Sequence, residues 1–163
     1  GRIMPIKPGD SIPSATLFMM GADGPTSSTT NDLFKGKKVA MFGLPGAFTP
    51  TCSAKHVPSY LNNAAALKEK GIDNIICLSV NDAFVMGAWG KEHDIGDIII
   101  MAGDGNALFS KAMGLELDLT EHGMGIRCQR FSMIVDDGVV SVLNHEPPGE
   151  YRVSSAETML DQL

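Results

Sequence analysis

Two short apolar runs constrain the fold of this chain more than any other feature of its sequence. Lys38–Leu44 reads KVAMFGL and Ile75–Val80 reads IICLSV, and neither run alternates between apolar and polar residues. Runs of this kind are typical of strands that are covered on both faces, as in parallel sheets flanked by helices. The sequence therefore predicts two buried central strands.

The stretch between these strands has helical periodicity. Val57, Leu61 and Leu67 recur at helical spacing within residues 51–70, and Gly71 follows as a residue that can end a helix in the left-handed conformation. Pro58 lies inside the stretch and predicts a kink, because proline removes one backbone donor and clashes with the preceding turn.

The rest of the chain continues this alternation of strands and helices. Aspartates and a glycine at 136–138 predict a late hairpin. The order favours a mixed central β-sheet flanked by helices. Residues 1–163 are predicted to form one domain. Residues 1–5 are expected to be flexible, and to be either a remnant of cloning or the end of a removed presequence. The further predicted elements are a strand at 16–20, a loop at 21–30, a helix at 82–92 with Asn81 as its cap, a strand at 97–101, a turn at 104–106, a helix at 107–113, strands at 130–135 and 139–143, and a helix at 156–163 after a capping box at 154–157.

Charge and cysteine content exclude several classes of function. The chain has 13 Lys and Arg against 19 Asp and Glu, a net charge of −6, which disfavours nucleic acid as a partner. No apolar run reaches 18 residues, so no membrane span is predicted. The cysteines at 52, 77 and 128 form neither a C-x-x-C pair nor a metal-ligand spacing. We therefore expect reduced thiols, no bound metal and a cytoplasmic location, with an organelle as the alternative if a presequence has been removed.

Cys52 stands where a thiol can be activated. It follows a buried strand and a Pro/Gly loop, and it lies in the first turn of the longest predicted helix. The thiolate is the nucleophile, and a free cysteine with a pKa of about 8.5 is mostly protonated at neutral pH. Unpaired N–H groups and the positive end of the helix dipole favour the anion. Thr49 adds a hydroxyl three residues earlier. The pattern indicates an activated nucleophile, whereas Cys77 within IICLSV is typical of a buried core thiol.

The segment around Cys52 resembles the active-site loop of the peroxiredoxins. Pro45–Ser53 reads PGAFTPTCS and is similar to the P-x-x-x-T-x-x-C motif, in the form found in the type II, peroxiredoxin-5-like subfamily, with His56 and Pro58 following. The resemblance covers nearly the whole chain, from about residue 6 to residue 163. Its other blocks are FKGKK at 34–38, LSVNDAFV at 78–85, WG at 89–90 and RFSM at 130–133.

The resemblance implies a thioredoxin-like fold and a role for each residue of the motif. Cys52 would attack a peroxide and become a sulfenic acid, Thr49 would hydrogen-bond the peroxide oxygens, and Arg130 would pair with the thiolate. Pro45 would shield the sulfur. The supporting pocket residues would be Gly46, Phe48 and His56. Fixed donors suit this chemistry, because O–O cleavage spreads negative charge from sulfur onto the leaving oxygen.

Arg127 competes with Arg130 for the arginine role. If the segment is extended, residues 128 and 130 share one face and residue 127 lies on the other. Both arginines then cannot face the site, and the resemblance implies Arg130 as the direct partner of the sulfur, which leaves Arg127 as a supporting or surface residue.

The resemblance leaves the regeneration of the thiol open. A sulfenic acid returns to a thiol by condensing with a second thiol. Related animal proteins carry a resolving cysteine at a position that aligns with Ser154 here. Cys77 and Cys128 are the remaining internal candidates, with Cys77 buried and Cys128 at a position where the family has no expected cysteine. We predict a cycle with one cysteine, reduced by glutathione, glutaredoxin or thioredoxin, with no cofactor.

Two alternative functions and one oligomeric state complete the hypotheses from the sequence. A cysteine hydrolase would use His56, one helical turn from Cys52, as its base, but the surrounding motif favours His56 as a neutral hydrogen-bonding wall of the pocket. A redox sensor would use the same activated cysteine without sustained turnover. The resemblance also implies a homodimer with contacts near the active-site loop.

Overall fold

The computed structural model describes residues 5–163, so the expectation for residues 1–5 lies outside the described residues except at Pro5, which is exposed. A seven-stranded sheet forms the centre of the molecule, in the order β2-β1-β5-β4-β3-β8-β9, and a separate two-stranded sheet pairs β6 with β7. The strands are β1 Thr16–Gly21, β2 Gly24–Thr29, β3 Lys38–Gly43, β4 Asn74–Ser79, β5 Ile100–Gly103, β6 Glu116–Leu119, β7 Gly125–Cys128, β8 Phe131–Asp136 and β9 Val139–His145.

Helices cover this sheet and connect its strands. The α-helices are α1 Thr30–Phe34, α2 Val57–Asn62, α3 Ala64–Glu69, α4 Ala83–Glu92, α5 Leu108–Ala112 and α6 Ala156–Leu160. A π-helical turn spans Cys52–His56 and a 3₁₀ turn spans Thr120–His122. No helix within residues 5–163 is long and apolar enough to cross a bilayer.

The two apolar runs form the centre of the sheet, as predicted. β3 pairs in parallel with β4 and antiparallel with β8. Because successive side chains point to opposite faces, Val39 and Met41 join one apolar cluster while Ala40 and Phe42 join the other. A core therefore lies on each face of the sheet, and this explains why neither run alternates.

The long predicted helix is divided into three pieces. Its first turn is π-helical, with the Val57 N–H donating to the carbonyl of Cys52. Pro58 stands in the first turn of α2, where its missing N–H costs little. A second break, which the sequence did not indicate, occurs at Asn63, whose side chain donates to the carbonyl of Ser59. Gly71 ends the stretch at φ +99°, as predicted.

Several other predictions need correction. Residues 21–30 are not one loop, because 24–29 form the edge strand β2, where Pro25 is tolerated. β5 begins at Ile100 rather than at residue 97, since Gly96 at φ +54° belongs to a turn. The cap of α4 is Asp82 instead of Asn81. Ser155 rather than Ser154 caps α6, and the hairpin of β6 and β7 has no predicted counterpart.

Candidate active site

The loop that precedes Cys52 is held from two sides. Asn81, two residues after the end of β4, accepts a hydrogen bond from the backbone N–H of Ala47 through its Oδ1 at 3.0 Å. Arg127, in β7, donates from Nη1 to the carbonyl of Pro45 at 3.3 Å. The loop is therefore fixed to both sheets, which places the start of the π-helical turn at the C-terminal end of β3.

Thr49 lies in a tight turn of this loop. Its hydroxyl donates to the carbonyl of Gly46 at 2.7 Å, and its own carbonyl accepts from the N–H of Ser53 at 2.9 Å. Phe48 precedes it with φ at +65°, in the left-handed region, and its side chain is 49% exposed. With its proton engaged by Gly46, the Thr49 oxygen keeps its lone pairs as acceptors for an O–H group.

Cys52 and Arg130 are in direct contact. Arg130 lies between β7 and β8, and its Nη2 donates to the sulfur of Cys52 at 3.1 Å. Cys52 itself has no exposed surface. Across residues 5–163 Arg130 forms no ion pair with a carboxylate, so no nearby negative charge neutralises the guanidinium. This cation faces the sulfur and can stabilise negative charge there.

His56 forms a hydrogen bond with the other terminal nitrogen of the Arg130 guanidinium. Arg130 Nη1 lies 2.8 Å from His56 Nδ1, and His56 Nε2 lies 3.0 Å from the carbonyl of Ser154. Arginine donates and a carbonyl accepts, so the ring carries its proton on Nε2 and accepts on Nδ1. Burial, followed by the charge of Arg130, lowers the pKa of His56 to about 3. A neutral ring with both nitrogens engaged in this way cannot also act as the base that a cysteine hydrolase requires.

The three cysteines occupy different surroundings. Cys77 belongs to the same apolar cluster as Cys52, whereas Cys128 lies in the cluster on the opposite face of the sheet. Burial raises the pKa of the Cys77 thiol well above its usual range and that of Cys128 to about 12. All three cysteines are buried free thiols. The two thiols other than Cys52 are therefore poor nucleophiles in the folded protein.

A cavity of about 360 Å³ adjoins the site. Its wall includes Pro45 and Arg130 from the site, together with Lys55, Leu117 and Tyr151. The volume lies in the range of small-molecule sites. The described part of the chain holds no group of three or more His, Cys, Asp or Glu side chains arranged for a metal ion.

The structure thus brings together most of the residues that the motif indicated. Pro45, Gly46 and Thr49 line one loop, and Cys52, His56 and Arg130 form one hydrogen-bonded chain. Phe48 instead lies at the surface and is half exposed, and Cys128 belongs to the apolar cluster on the opposite face of the sheet. The hydrogen bond from the active-site loop to Asn81 was not predicted. Its only signal in the sequence is a polar residue directly after the apolar run at 75–80.

Comparison with known proteins identifies the family. The Redoxin family model matches residues 7–160. Peroxiredoxin-2B of Arabidopsis thaliana is 47% identical over 160 residues, which cover 98% of this chain and 99% of that protein. The chain is a type II peroxiredoxin. The chloroplastic peroxiredoxin-2E of the same plant is 48% identical over 162 residues, or 97% of this chain and 69% of that protein. A solved structure of reduced Prx3 from Vibrio vulnificus, in complex with H₂O₂, has 48% identity and a TM-score of 0.92, covering 96% of this chain and 98% of that one.

Membership of this family settles the fold and the class of activity. The thioredoxin-like fold with a mixed central sheet is confirmed, and the chain is a thiol-dependent peroxidase, an oxidoreductase of the peroxiredoxin class. The alternative that the sequence left open was a redox sensor that uses the same cysteine without sustained turnover.

Proposed function

We propose that this peroxiredoxin reduces hydrogen peroxide and alkyl hydroperoxides through a sulfenic acid on Cys52, and that an external thiol regenerates the enzyme. The observation that carries the proposal is the 3.1 Å hydrogen bond from Arg130 Nη2 to the Cys52 sulfur. It places a guanidinium, unpaired with any carboxylate of the described residues, on the atom that must become an anion.

The first step transfers one oxygen atom. The Cys52 thiolate attacks the terminal oxygen of ROOH, the S–O bond forms as the O–O bond breaks, and RO⁻ leaves with the bonding pair. The sulfur keeps the OH group as sulfenic acid, and RO⁻ takes a proton from solvent to become ROH. Arg130 stabilises the charge as it moves, and the Thr49 oxygen orients the peroxide O–H.

The cavity beside Pro45 supports the proposal that the enzyme accepts alkyl hydroperoxides as well as H₂O₂. The cavity is far larger than H₂O₂ requires, and Leu117 gives its wall an apolar side chain. An alkyl hydroperoxide could place its chain against Leu117 while the peroxide group approaches Arg130. Glycine at position 46 lets the loop pass close to the Arg127 side chain, because a Cβ at this position would lie 2.8 Å from Arg127 Nη1.

The second step uses a thiol from outside the chain. A thiol R′SH condenses with the sulfenic acid, forming Cys52–S–S–R′ and releasing water. A second R′SH then releases the Cys52 thiol and R′SSR′. Cys77 and Cys128 are buried, and their raised pKa values leave little thiolate, so internal resolution by either would require local unfolding. Glutathione with glutaredoxin, or thioredoxin, fills this role.

A steady-state peroxidase assay tests the proposal and separates the enzyme from a sensor. Glutathione with glutaredoxin and the thioredoxin system are compared side by side, with H₂O₂ and an alkyl hydroperoxide as substrates. We expect many turnovers with at least one reductant, none in Cys52→Ser, and wild-type turnover in the matched controls Cys77→Ser and Cys128→Ser. A single stoichiometric oxidation with every reductant would indicate a sensor instead.

Three further expectations accompany this function. A homodimer is supported by two exposed aromatic side chains, Phe48 of the active-site loop at 49% and Phe84 of α4 at 64%. The loop and this helix meet, because the rings of Phe48 and Trp89 in α4 lie 6.3 Å apart. We also propose that residues 1–163 act as one peroxiredoxin domain, and that the chain works in the cytoplasm, with an organelle as the alternative because some relatives are named as chloroplastic or mitochondrial.

A further inference from the structure

The buried carboxylate of Glu146 fixes the loop at residues 152–154, which forms a hydrogen bond with His56. Glu146 follows β9 and is only 3% exposed. Its Oε2 accepts from the backbone N–H groups of Arg152, Val153 and Ser154, each at 2.8 Å, and from the Ser154 hydroxyl at 2.7 Å. Four donors on one oxygen fix the path of residues 152–154. Oε1 has no hydrogen-bond partner within the described residues, so Oε2 accepts all of the hydrogen bonds made to the carboxylate there.

The fixed loop presents one carbonyl to the interior. The carbonyl of Ser154 accepts from His56 Nε2 at 3.0 Å and from the hydroxyl of Tyr60 at 3.1 Å. Because the carbonyl can only accept, it requires the proton of His56 to stand on Nε2. It therefore leaves Nδ1 as the acceptor that faces Arg130.

Glu146 is also attached to Arg130 by its own backbone. Its N–H donates to the carbonyl of Arg130 at 3.0 Å. Glu146 thus forms hydrogen bonds with the backbone of Arg130 and also with the loop that orients His56 against the guanidinium. The sulfur of Cys52 lies at the end of this chain of hydrogen bonds, 3.1 Å from Nη2.

We propose that Glu146 is a positioning residue of the peroxidase reaction, which holds the Arg130 guanidinium against the Cys52 sulfur through Ser154 and His56. The inference rests on the proposed roles of Cys52 and Arg130. Glu146 does not touch the reacting atoms. Its contribution is to keep one tautomer of His56 and one orientation of the guanidinium, since a small misplacement of a catalytic group is costly.

The test measures the second-order rate of Cys52 oxidation by H₂O₂ in stopped flow. Glu146→Ala is expected to slow this step by about 10- to 100-fold. Glu146→Gln, which keeps a carbonyl oxygen for the four donors, is expected to recover most of the rate. Glu150→Gln is the matched control, because Glu150 lies in the same loop but pairs with Arg152 at the surface.

Two further readouts separate positioning from a merely structural role. Nitrogen NMR of the His56 ring is expected to show the Nε2–H tautomer in the wild type and in Glu150→Gln, and to lose it in Glu146→Ala. In an Arg130→Gln background, Glu146→Ala is expected to slow oxidation no further, because the group that it positions is absent.

A folded Glu146→Ala that reacts at the wild-type rate would overturn the inference, as would an equal loss in the Arg130→Gln background. If the alanine variant does not fold, Glu146→Asp keeps the charge but is too short to reach all four donors, and the same comparison applies to it. A wild-type protein that is not oxidised at Cys52 would instead refute the proposed function, so the two failures are distinguishable.

Discussion

The buried histidine beside the active-site arginine makes the stability of this protein depend on pH. Burial and the charge of Arg130 lower the pKa of His56 from 6.5 to about 3, so the folded protein keeps the ring neutral where the unfolded chain protonates it. Between these two values the unfolded state binds more protons. The free energy of unfolding therefore falls as the pH drops from the unfolded pKa towards the folded one.

The size of the effect follows from the two pKa values. Going from about pH 7 to about pH 4.5, this one group removes about 2.5 kcal/mol from the free energy of unfolding. That is a large part of the roughly 5–15 kcal/mol that stabilises a typical domain. The carboxylates of Glu146 and Glu157, whose pKa values are lowered by hydrogen bonds despite burial, add to the acid sensitivity at lower pH.

A comparison of variants isolates the histidine. Urea unfolding at both pH values, at one protein concentration, gives the loss for the wild type and for His56→Gln, which can donate to the Ser154 carbonyl but does not titrate. The wild type is expected to lose about 2.5 kcal/mol more than this variant. His122→Gln, at an exposed turn, is the control and should behave as the wild type does. Equal losses in the wild type and His56→Gln would refute the neutral, buried state of the ring.

Three further substitutions have specific expected outcomes. Thr49→Val should lower kcat/KM for H₂O₂ by about 100-fold while Thr49→Ser stays near the wild type, because only the hydroxyl is lost; equal activities would remove Thr49 from the reaction. Gly43→Ala should lower the free energy of unfolding by about 1–3 kcal/mol in urea titrations, since its Cβ would stand 2.2 Å from the ring of Phe131, and an unchanged midpoint would contradict this. Phe84→Ala should weaken self-association in analytical ultracentrifugation, whereas an exposed Leu108→Ala on α5 should not, and equal effects would place the dimer contact elsewhere.

The central strands and the reactive loop could be predicted because their signals are local. An apolar run without alternation indicates a strand buried on both faces, and the PGAFTPTCS motif indicates Cys52 as the candidate nucleophile and Thr49 as its neighbour in the site. Arg130 could be chosen over Arg127 only through the family resemblance. Side chains alternate between faces only while the segment is extended, whereas β7 ends at Cys128.

The parts that could not be predicted depend on contacts between distant residues. Glu146 meets Ser154 and Arg130 only after the chain has folded, and a lone glutamate after a strand carries no signal of this. Ser154 was predicted as a helix cap from its spacing, but Glu146 takes its hydroxyl and Ser155 caps the helix instead. The edge strand β2 was missed because Ser and Thr indicate loops as readily as the exposed strand of a sheet.

Cys52 alone is expected to carry the redox chemistry within this chain. Intact-mass analysis after treatment with one equivalent of peroxide, without a reductant and with a trap for sulfenic acids, distinguishes this from an internal disulfide. We expect one adduct of the trap per chain, located at Cys52, with Cys77 and Cys128 still alkylated as free thiols after denaturation. A quantitative loss of two hydrogens, with a disulfide joining Cys52 to Cys77 or Cys128, would contradict it.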